Sequence, residues 1–519
     1  MKKTFINIFI AGSIVFSVSS CQDALDIVQD GTLTNEATFQ TVDDLKQFLL
    51  GDVYSGLDVS GPIGFTSQFT DEVGQGPSNS ALSQDTHQFY LDITNGFASS
   101  IWSNNYYVIN RVNRLLKASE LVNPTSADAI KTKSQILAEA RAIRAFAYLQ
   151  LETYYSPDMK DDNAAGVIIL DHVPTNSEKI PRSKNADVFA VIDADIAFAE
   201  ANLNPANTYF FINKNFINAF KARYYLYRGK YADAKTYAQK VVNESGLTLT
   251  ASTPIPTGTV GSATWWAGLN AYASTNPYIK MWNDSSPGEV IFALSRPVSG
   301  AWANIASLYT TNNTTATGSV TYDMGRKLFN LINTNQNDIR RWAFIDPTSK
   351  FDPNYATNPD YKASDVIVID KYPGKSTGTQ PLRNDQKVFR LSEMYFILAE
   401  SAINEKQFST AAGYIQKVRQ ARQISGTVPT PNYANEVEAW ADVLQERRIE
   451  LAFEGHRYID IKRIGKLANK SIDRDPTDDF DKSAKLTIPN DDTRFTLPIP
   501  QSETQGNPTI QQNPGYRNN

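Results

Sequence analysis

At 519 residues, with 41% apolar residues and 11% aromatics, the chain is long enough to build a sizeable core and to divide into two to four domains. A formal charge of −5, with no run of five or more basic residues, argues against nucleic acid as a partner. One cysteine (Cys21) and three histidines (His87, His172 and His456) exclude an internal disulfide and leave little room for histidine-based metal sites or catalytic triads.

The N-terminus opens with Lys2 and Lys3, continues with an apolar stretch over Phe5–Val18, and reaches Val18-Ser19-Ser20-Cys21. A basic start, a short apolar core and small residues before a cleavage point describe an export signal rather than a spanning helix. An apolar residue, two small residues and then Cys is the pattern of a bacterial lipobox, with the Cys21 thiol as the acylation point. Residues 1–20 are then the signal and 21–40 a lipidated tether, polar and acidic at Gln22, Asp23 and Asp26. Two or more acyl chains, at about 0.8 kcal/mol per buried methylene, anchor a protein stably. No later stretch approaches eighteen consecutive apolar residues, so the body is expected to be soluble.

Along the chain, helical spacing comes first over about 41–56, capped by Thr41 with Asp43 and Asp44 in the first turn. A stretch at about 57–99 reads as loop-rich and carries Phe65, Phe69, Phe89, Tyr90 and Phe97. From 100 to 120, Ile101, Ile109, Val112, Leu115 and Leu116 repeat at helical spacing, and a partner helix follows over 126–155. Further helices fit 187–203, 213–228 and 231–243. The segment 245–385 is rich in Thr, Ser, Asn, Pro and Gly, with strand-like runs only at Glu289–Leu294 and Asp365–Asp370. It holds five of the seven tryptophans. Helices resume over 387–404, 408–424 and 435–463. Lys230–Val241 lines up with Gln407–Val418 in its aromatic and alanine positions, an internal repeat of the kind that packs as tetratricopeptide-like hairpins. The domain pattern is thus a helical region 41–244, an irregular aromatic lobe 245–385, and a second helical region and tail 386–519.

No nucleophile elbow, zinc-binding H-E-x-x-H, Walker loop or dinucleotide fingerprint is present. The acidic run Asp473, Asp475, Asp478, Asp479 and Asp481 lacks the turn glycine and closing glutamate of a calcium loop, and reads as a solvated loop. No metal or cofactor is expected. In Gln445–Gly465, Arg447 and Glu450 have the spacing to pair on one face, and the dense charge reads as a link from the last hairpin to its neighbours. His456, just after Gly455, falls at a helix break and reads as a packing residue.

Four passages together resemble the SusD/RagB family of outer-membrane nutrient-binding lipoproteins. They are the lipobox at Cys21, Leu137-Ala-Glu-Ala-Arg-Ala-Ile-Arg-Ala-Phe-Ala-Tyr-Leu149, Arg390-Leu-Ser-Glu-Met-Tyr-Phe-Ile-Leu-Ala-Glu400, and Glu446-Arg-Arg-Ile-Glu-Leu-Ala-Phe-Glu-Gly-His-Arg-Tyr-Ile-Asp460. The ending, Leu497-Pro-Ile-Pro-Gln-Ser-Glu503 with Gln512-Asn-Pro-Gly-Tyr516, fits as well. The resemblance implies a mostly α protein: a tetratricopeptide-like helical-hairpin scaffold with an irregular, loop-rich ligand-binding lobe. It implies a non-enzyme on the outer face of the outer membrane that captures an oligosaccharide, or a peptide in RagB-like members, for a SusC-like TonB-dependent transporter.

Sugar rings present apolar C–H faces to flat aromatic rings, while amides and Arg reach the hydroxyls. Candidate contacts are therefore Trp102 with Asn105, which resembles a sugar-contact position of starch-binding members, Trp265 with Trp266, Trp282, and Trp302 with Tyr309. For each tryptophan, core packing is the competing reading. A peptide ligand and a surface-anchored glycosidase remain the alternatives for function.

Overall fold

Thr41, Asn95, Ser126, Asn213 and Asn435 each stand one residue before a helix, and each accepts a backbone N–H of the first turn with its side chain. These contacts satisfy donors that the helix itself leaves unpaired. The computed structural model describes residues 39–79, 84–175, 177–203, 208–253, 259, 262–265, 276–310, 319–375 and 382–517. Cys21 lies outside them.

The helices are α1 (Val42–Phe48, continued by a π-helical turn over Leu49–Tyr54), α2 (Ser60–Phe69), α3 (Gly96–Ser119), α4 (Ala127–Tyr155), α5 (Asn185–Asn202), α6 (Lys214–Tyr227) and α7 (Tyr231–Glu244). Within the irregular segment lies α8 (Arg326–Asn333), and after it come α9 (Leu391–Asn404), α10 (Phe408–Arg422), α11 (Glu436–Glu450) and α12 (Arg457–Ile464). Helix α3 packs along α4, α4 along α5, α6 along α7, α7 along α9, α9 along α10, and α11 closes on α9 and α10. This is the stacked-hairpin scaffold that the repeat predicts. The two repeat copies turn alike. Gly229 and Lys406 both adopt left-handed backbone (φ +69° and +62°), and the next residues, Lys230 and Gln407, donate back to the carbonyls of Tyr225 and Ala402 at 2.9 and 2.8 Å. Ala234 and Ala411 are fully buried where the hairpins meet.

Two short antiparallel ladders tie the irregular segment to the scaffold: β1 (Val73–Gln75) with β3 (Tyr322–Met324), and β2 (Val290–Leu294) with β4 (Gln386–Arg390). The tail is pinned as well. The Leu497 N–H donates to the Tyr154 carbonyl at 2.8 Å, and Asn513 donates to the carbonyls of Tyr155 and Leu497 at 2.9 and 2.8 Å.

Several expectations are corrected. The stretch 57–99 contains the buried helix α2, whose Phe65 and Phe69 pack on Tyr458 rather than facing solvent. Residues 387–390 are strand, because pairing with β2 overrides helical spacing there. Asp365–Asp370 makes only isolated bridges, from Val366 to Lys350 and from Ile369 to Ile345. The span 435–463 is two helices. Its break at Leu451–His456 follows from tertiary capture of the backbone: Lys371 takes the carbonyls of Glu450 and Ala452 (3.0 and 2.7 Å), Tyr372 takes that of Phe453 (2.9 Å), and Phe453 and Gly455 are left-handed. The acidic run is not a solvated loop, since Asp475, Asp478 and Asp479 are buried. Asp478 accepts the backbone N–H groups of Arg326 and Asp475 (2.8 and 2.9 Å), which draws the segment onto α8.

The charged stretch at the end of α11 does link the hairpins, by a different pairing from Arg447 with Glu450. Arg447 pairs with Asp460 and Glu400. Glu450 receives Arg390, Arg422 and Arg340 at 2.8–3.2 Å. Arg390 and Arg422 also meet Glu289 (2.8 Å), while Glu454 holds Arg390 and Lys371. Burial alone would raise the Glu450 carboxyl, but Arg422 and Arg390 hold it well below the usual range. Removing one member strands the others without water, which typically costs about 3–5 kcal/mol. Glu450→Gln should therefore lower stability by about that amount, read as a shift in the urea or thermal midpoint by circular dichroism.

Glu152, fully buried on α4, behaves oppositely. Burial pushes its carboxyl up to about 8 against one hydrogen bond from the Val167 N–H at 2.9 Å. Between the unfolded-chain value near about 4.3 and 8, the native state keeps a proton that the unfolded chain releases, so this group's contribution to stability falls as pH rises and levels off above 8. The melting temperature should decline from about pH 6.5 to 8, and Glu152→Gln, which keeps the Val167 contact, should flatten part of that decline.

Candidate functional site

Helix α3 turns Ile101, Trp102, Asn105, Val108, Ile109 and Val112 inward, leaving Ser100, Ser103, Asn104 and Tyr107 on the opposite face. Its first two turns lie against the start of α2, where a side chain at Gly61 would come within 3.4 Å of Ser100 Oγ and the Ile101 side chain. Between the two helices runs an open groove of about 470 Å³, lined among others by Asp58, Ser60, Ser100, Ser103, Asn104 and Tyr107. The Tyr107 ring is 45% exposed although it is large and flat. It rests on Gly56, where a Cβ would sit 3.1 Å from the ring edge, and Arg111 covers it at 4.7 Å from the centroid. The ring is thereby held in one orientation before any ligand arrives.

The groove's other edge is tied down by polar contacts. Asp58 accepts from the Ser60 N–H (3.1 Å) and from Gln386 Nε2 (2.6 Å), and Gln386 Oε1 accepts the Val59 N–H at 3.1 Å. Arg296 joins this edge to Trp302: it donates to the Leu57 carbonyl and to Gln386, and its guanidinium lies 5.3 Å from the half-buried Trp302 ring. The loop carrying Trp302 is fixed by Arg383, which donates to the carbonyls of Pro297, Ser299 and Gly300 at 2.8, 3.2 and 2.9 Å. Gly300 is left-handed (φ +79°), and a Cβ there would stand 3.3 Å from Trp302 Nε1. Tyr107 thus lines the groove, and Arg296 links the groove's Asp58, 3.9 Å away, to the Trp302 ring.

The other candidates fall elsewhere. Asn105 lines the groove but donates to the Ile101 carbonyl at 2.7 Å. Trp102 is buried against Tyr106 and Tyr155, with its indole N–H on Glu503 at 3.0 Å. Trp265 is buried against Trp342, with ring centroids 4.3 Å apart, and Trp266 lies outside the described residues. Trp282 is enclosed by Tyr278, Phe344 and Tyr372, with Lys371 over its ring at 4.4 Å. Tyr309 is buried, with its hydroxyl 3.1 Å from Ser67 Oγ and its ring against Phe453. Among the described residues no group of three or more His, Cys, Asp or Glu is placed to hold a metal ion. Sequence reasoning missed Tyr107. Its signal was available: a large aromatic on the polar face of an amphipathic helix.

A family model described as the SusD family matches residues 306–516. SusD-like protein P2 of Formosa agariphila is 26% identical over 99% of this chain and all of its own length. The chain is similar to the SusD family over the residues that model matches, and to this SusD-like relative over nearly its whole length. The fold agrees with solved SusD-like structures. A SusD superfamily protein of Bacteroides thetaiotaomicron superposes with a TM-score of 0.72 at 22% identity, covering 91% of this chain and all of its own. A laminarin-binding SusD-like protein superposes at 0.64 and 20% identity, over 92% of this chain and all of its own.

Burial separates the two kinds of tryptophan in this SusD-like chain. Trp282→Ala should cost about 3–5 kcal/mol of stability, whereas Trp302→Ala should leave the thermal midpoint within about 2 °C, both read by thermal melts.

Proposed function

We propose that this protein is a lipid-anchored surface protein that captures oligosaccharides in the groove between α2 and α3, on Tyr107 and out towards Trp302. It then passes them to a SusC-like TonB-dependent transporter in the outer membrane. The observation that carries the reading is the exposed Tyr107 ring, seated with its edge against Gly56 in a groove of hydroxyls and amides. A sugar ring stacks its C–H face on such a ring while Ser100, Ser103 and Asn104 reach its hydroxyls. An open groove suits a polymer chain, which must enter and leave sideways. Hydrolysis of the glycan would need two carboxyl groups about 5–10 Å apart, and among the described lining residues Asp58 is the one acid. The polar lining favours sugar over a peptide, for which an apolar cavity would serve better. Anchoring through acylated Cys21, with the acidic stretch after it as tether, keeps the capture surface beside the pore.

Isothermal titration of the detergent-solubilised lipoprotein against laminarin and other plant, host and microbial polysaccharides tests this reading. At least one should bind, and Tyr107→Ala and Trp302→Ala should each weaken it about two- to tenfold. Unchanged affinity in both variants would place the site elsewhere. Cys21→Ser should release the protein from the membrane fraction and leave binding intact.

A further inference from the structure

A second groove lies between α8, α11 and the chain at 470–473, away from the Tyr107 surface. Its volume is about 350 Å³, within the range of about 300–1,000 Å³ usual for small-molecule sites. Leu331, Ala441 and Leu444 supply an apolar wall, and Lys327, Arg448, Arg457 and Lys470 bring four cations to it. Two acids pair with them directly, and Asp478 acts on Arg448 and Asp460 on Arg457 from farther off. Asp71, behind the groove, takes Arg457 through both carboxylate oxygens (2.8 and 2.9 Å) and lies 3.4 Å from Arg448, while Asp473 takes Lys327 at 2.5 Å. Lys470 is therefore left without an ion pair among the described residues, and Arg448 shares Asp71 with Arg457. The larger cavity of about 540 Å³ beside Lys462 is better balanced, because Asp158, Asp491 and Asp492 line it and its Arg463 is paired with Glu400 and Asp460.

The unmatched groups are on the groove itself. Lys470 is exposed and makes no ion pair among the described residues. Arg448 is buried, and its Nε has no hydrogen-bond partner among the described residues. A buried guanidinium N–H left unpaired is costly, and an incoming oxyanion would satisfy it with a charge-assisted bond. Burial, together with Arg457 alongside, holds the Arg448 guanidinium below its ordinary value against Asp71, Asp473 and Asp478.

We propose that this groove is a second ligand site, taking a small organic oxyanion: a carboxylate or sulfate ester borne on a sugar-sized ring. The oxyanion meets Arg448 Nε and Lys470, competes with Asp473 for Lys327, and the ring lies on Leu331, Ala441 and Leu444. A bare inorganic ion would leave that apolar wall unused. The proposal goes beyond the capture groove and does not rest on it.

The test is titration of the detergent-solubilised lipoprotein at low ionic strength with glucuronate, glucose 6-sulfate, inorganic sulfate and glucose. At least one of the two acidic sugars should bind tenfold or more tightly than glucose, and tighter than inorganic sulfate. Which of them binds identifies the oxyanion. Lys470→Ala, an exposed position with no fold contact to lose, should weaken that binding at least fivefold, and Trp302→Ala should not change it. Equal binding of glucose, equal or tighter binding of inorganic sulfate, or full affinity in Lys470→Ala would each overturn the proposal. A loss in Trp302→Ala would do so as well, by moving the acidic sugar to the capture groove.

Discussion

One buried carboxylate organises much of the molecule. Glu450 sits at the end of α11 and receives arginines from three separate stretches: Arg340 from the irregular segment, Arg390 from the end of β4, and Arg422 from the end of α10. Because Arg390 and Arg422 also bind Glu289, the strand β2 is drawn to the same point. Ion pairs of this kind are poor sources of net stability, since each member loses its hydration. Their effect is geometric. A misplaced hairpin would leave a charge unmatched in the interior, so only one mutual arrangement of the segments satisfies them all.

That requirement also explains which parts of the structure were legible beforehand. Arg390 and Glu450 lie inside the passages that carry the family resemblance, so the scaffold was readable where its constraint is written in side chains. The long helices were readable because caps such as Asn95 and Ser126, and apolar residues at helical spacing, are local signals. Gly455 and His456 signalled a helix break, but its reach back to Leu451 was not legible, because it depends on Lys371 and Tyr372 taking carbonyls from about eighty positions away in the chain. The burial of Asp478 has the same character, as its partner is the backbone of Arg326. Local pattern cannot report a donor that folding brings from elsewhere.

The site was legible in kind and less so in position. An aromatic surplus suggested ring stacking, yet Trp265 and Trp282 are large enough to fill the junctions between segments and are buried there. Trp302 keeps a free surface because Arg296 and Arg383 hold its loop against the rim rather than the core. Tyr107 keeps its own because it faces away from the apolar stripe of α3. The two rings owe their usefulness to the rigidity beneath them: a preset ring loses little freedom when a ligand arrives, which favours binding even where each contact is weak.

The pinned tail has a consequence for how the protein is made. Leu497 and Asn513 complete hydrogen bonds at the end of α4, more than three hundred residues earlier in the chain. The Glu289–Glu450 cluster likewise joins residues far apart in sequence. Contacts that span so much chain close slowly, and none of them exists until the last segment has been synthesised. The early helices can form as they emerge, but their docked arrangement cannot be locked. Late closure of this kind suits the export proposed for the protein, since a chain whose distant partners have not yet met can be threaded as an extended strand and docked on the far side.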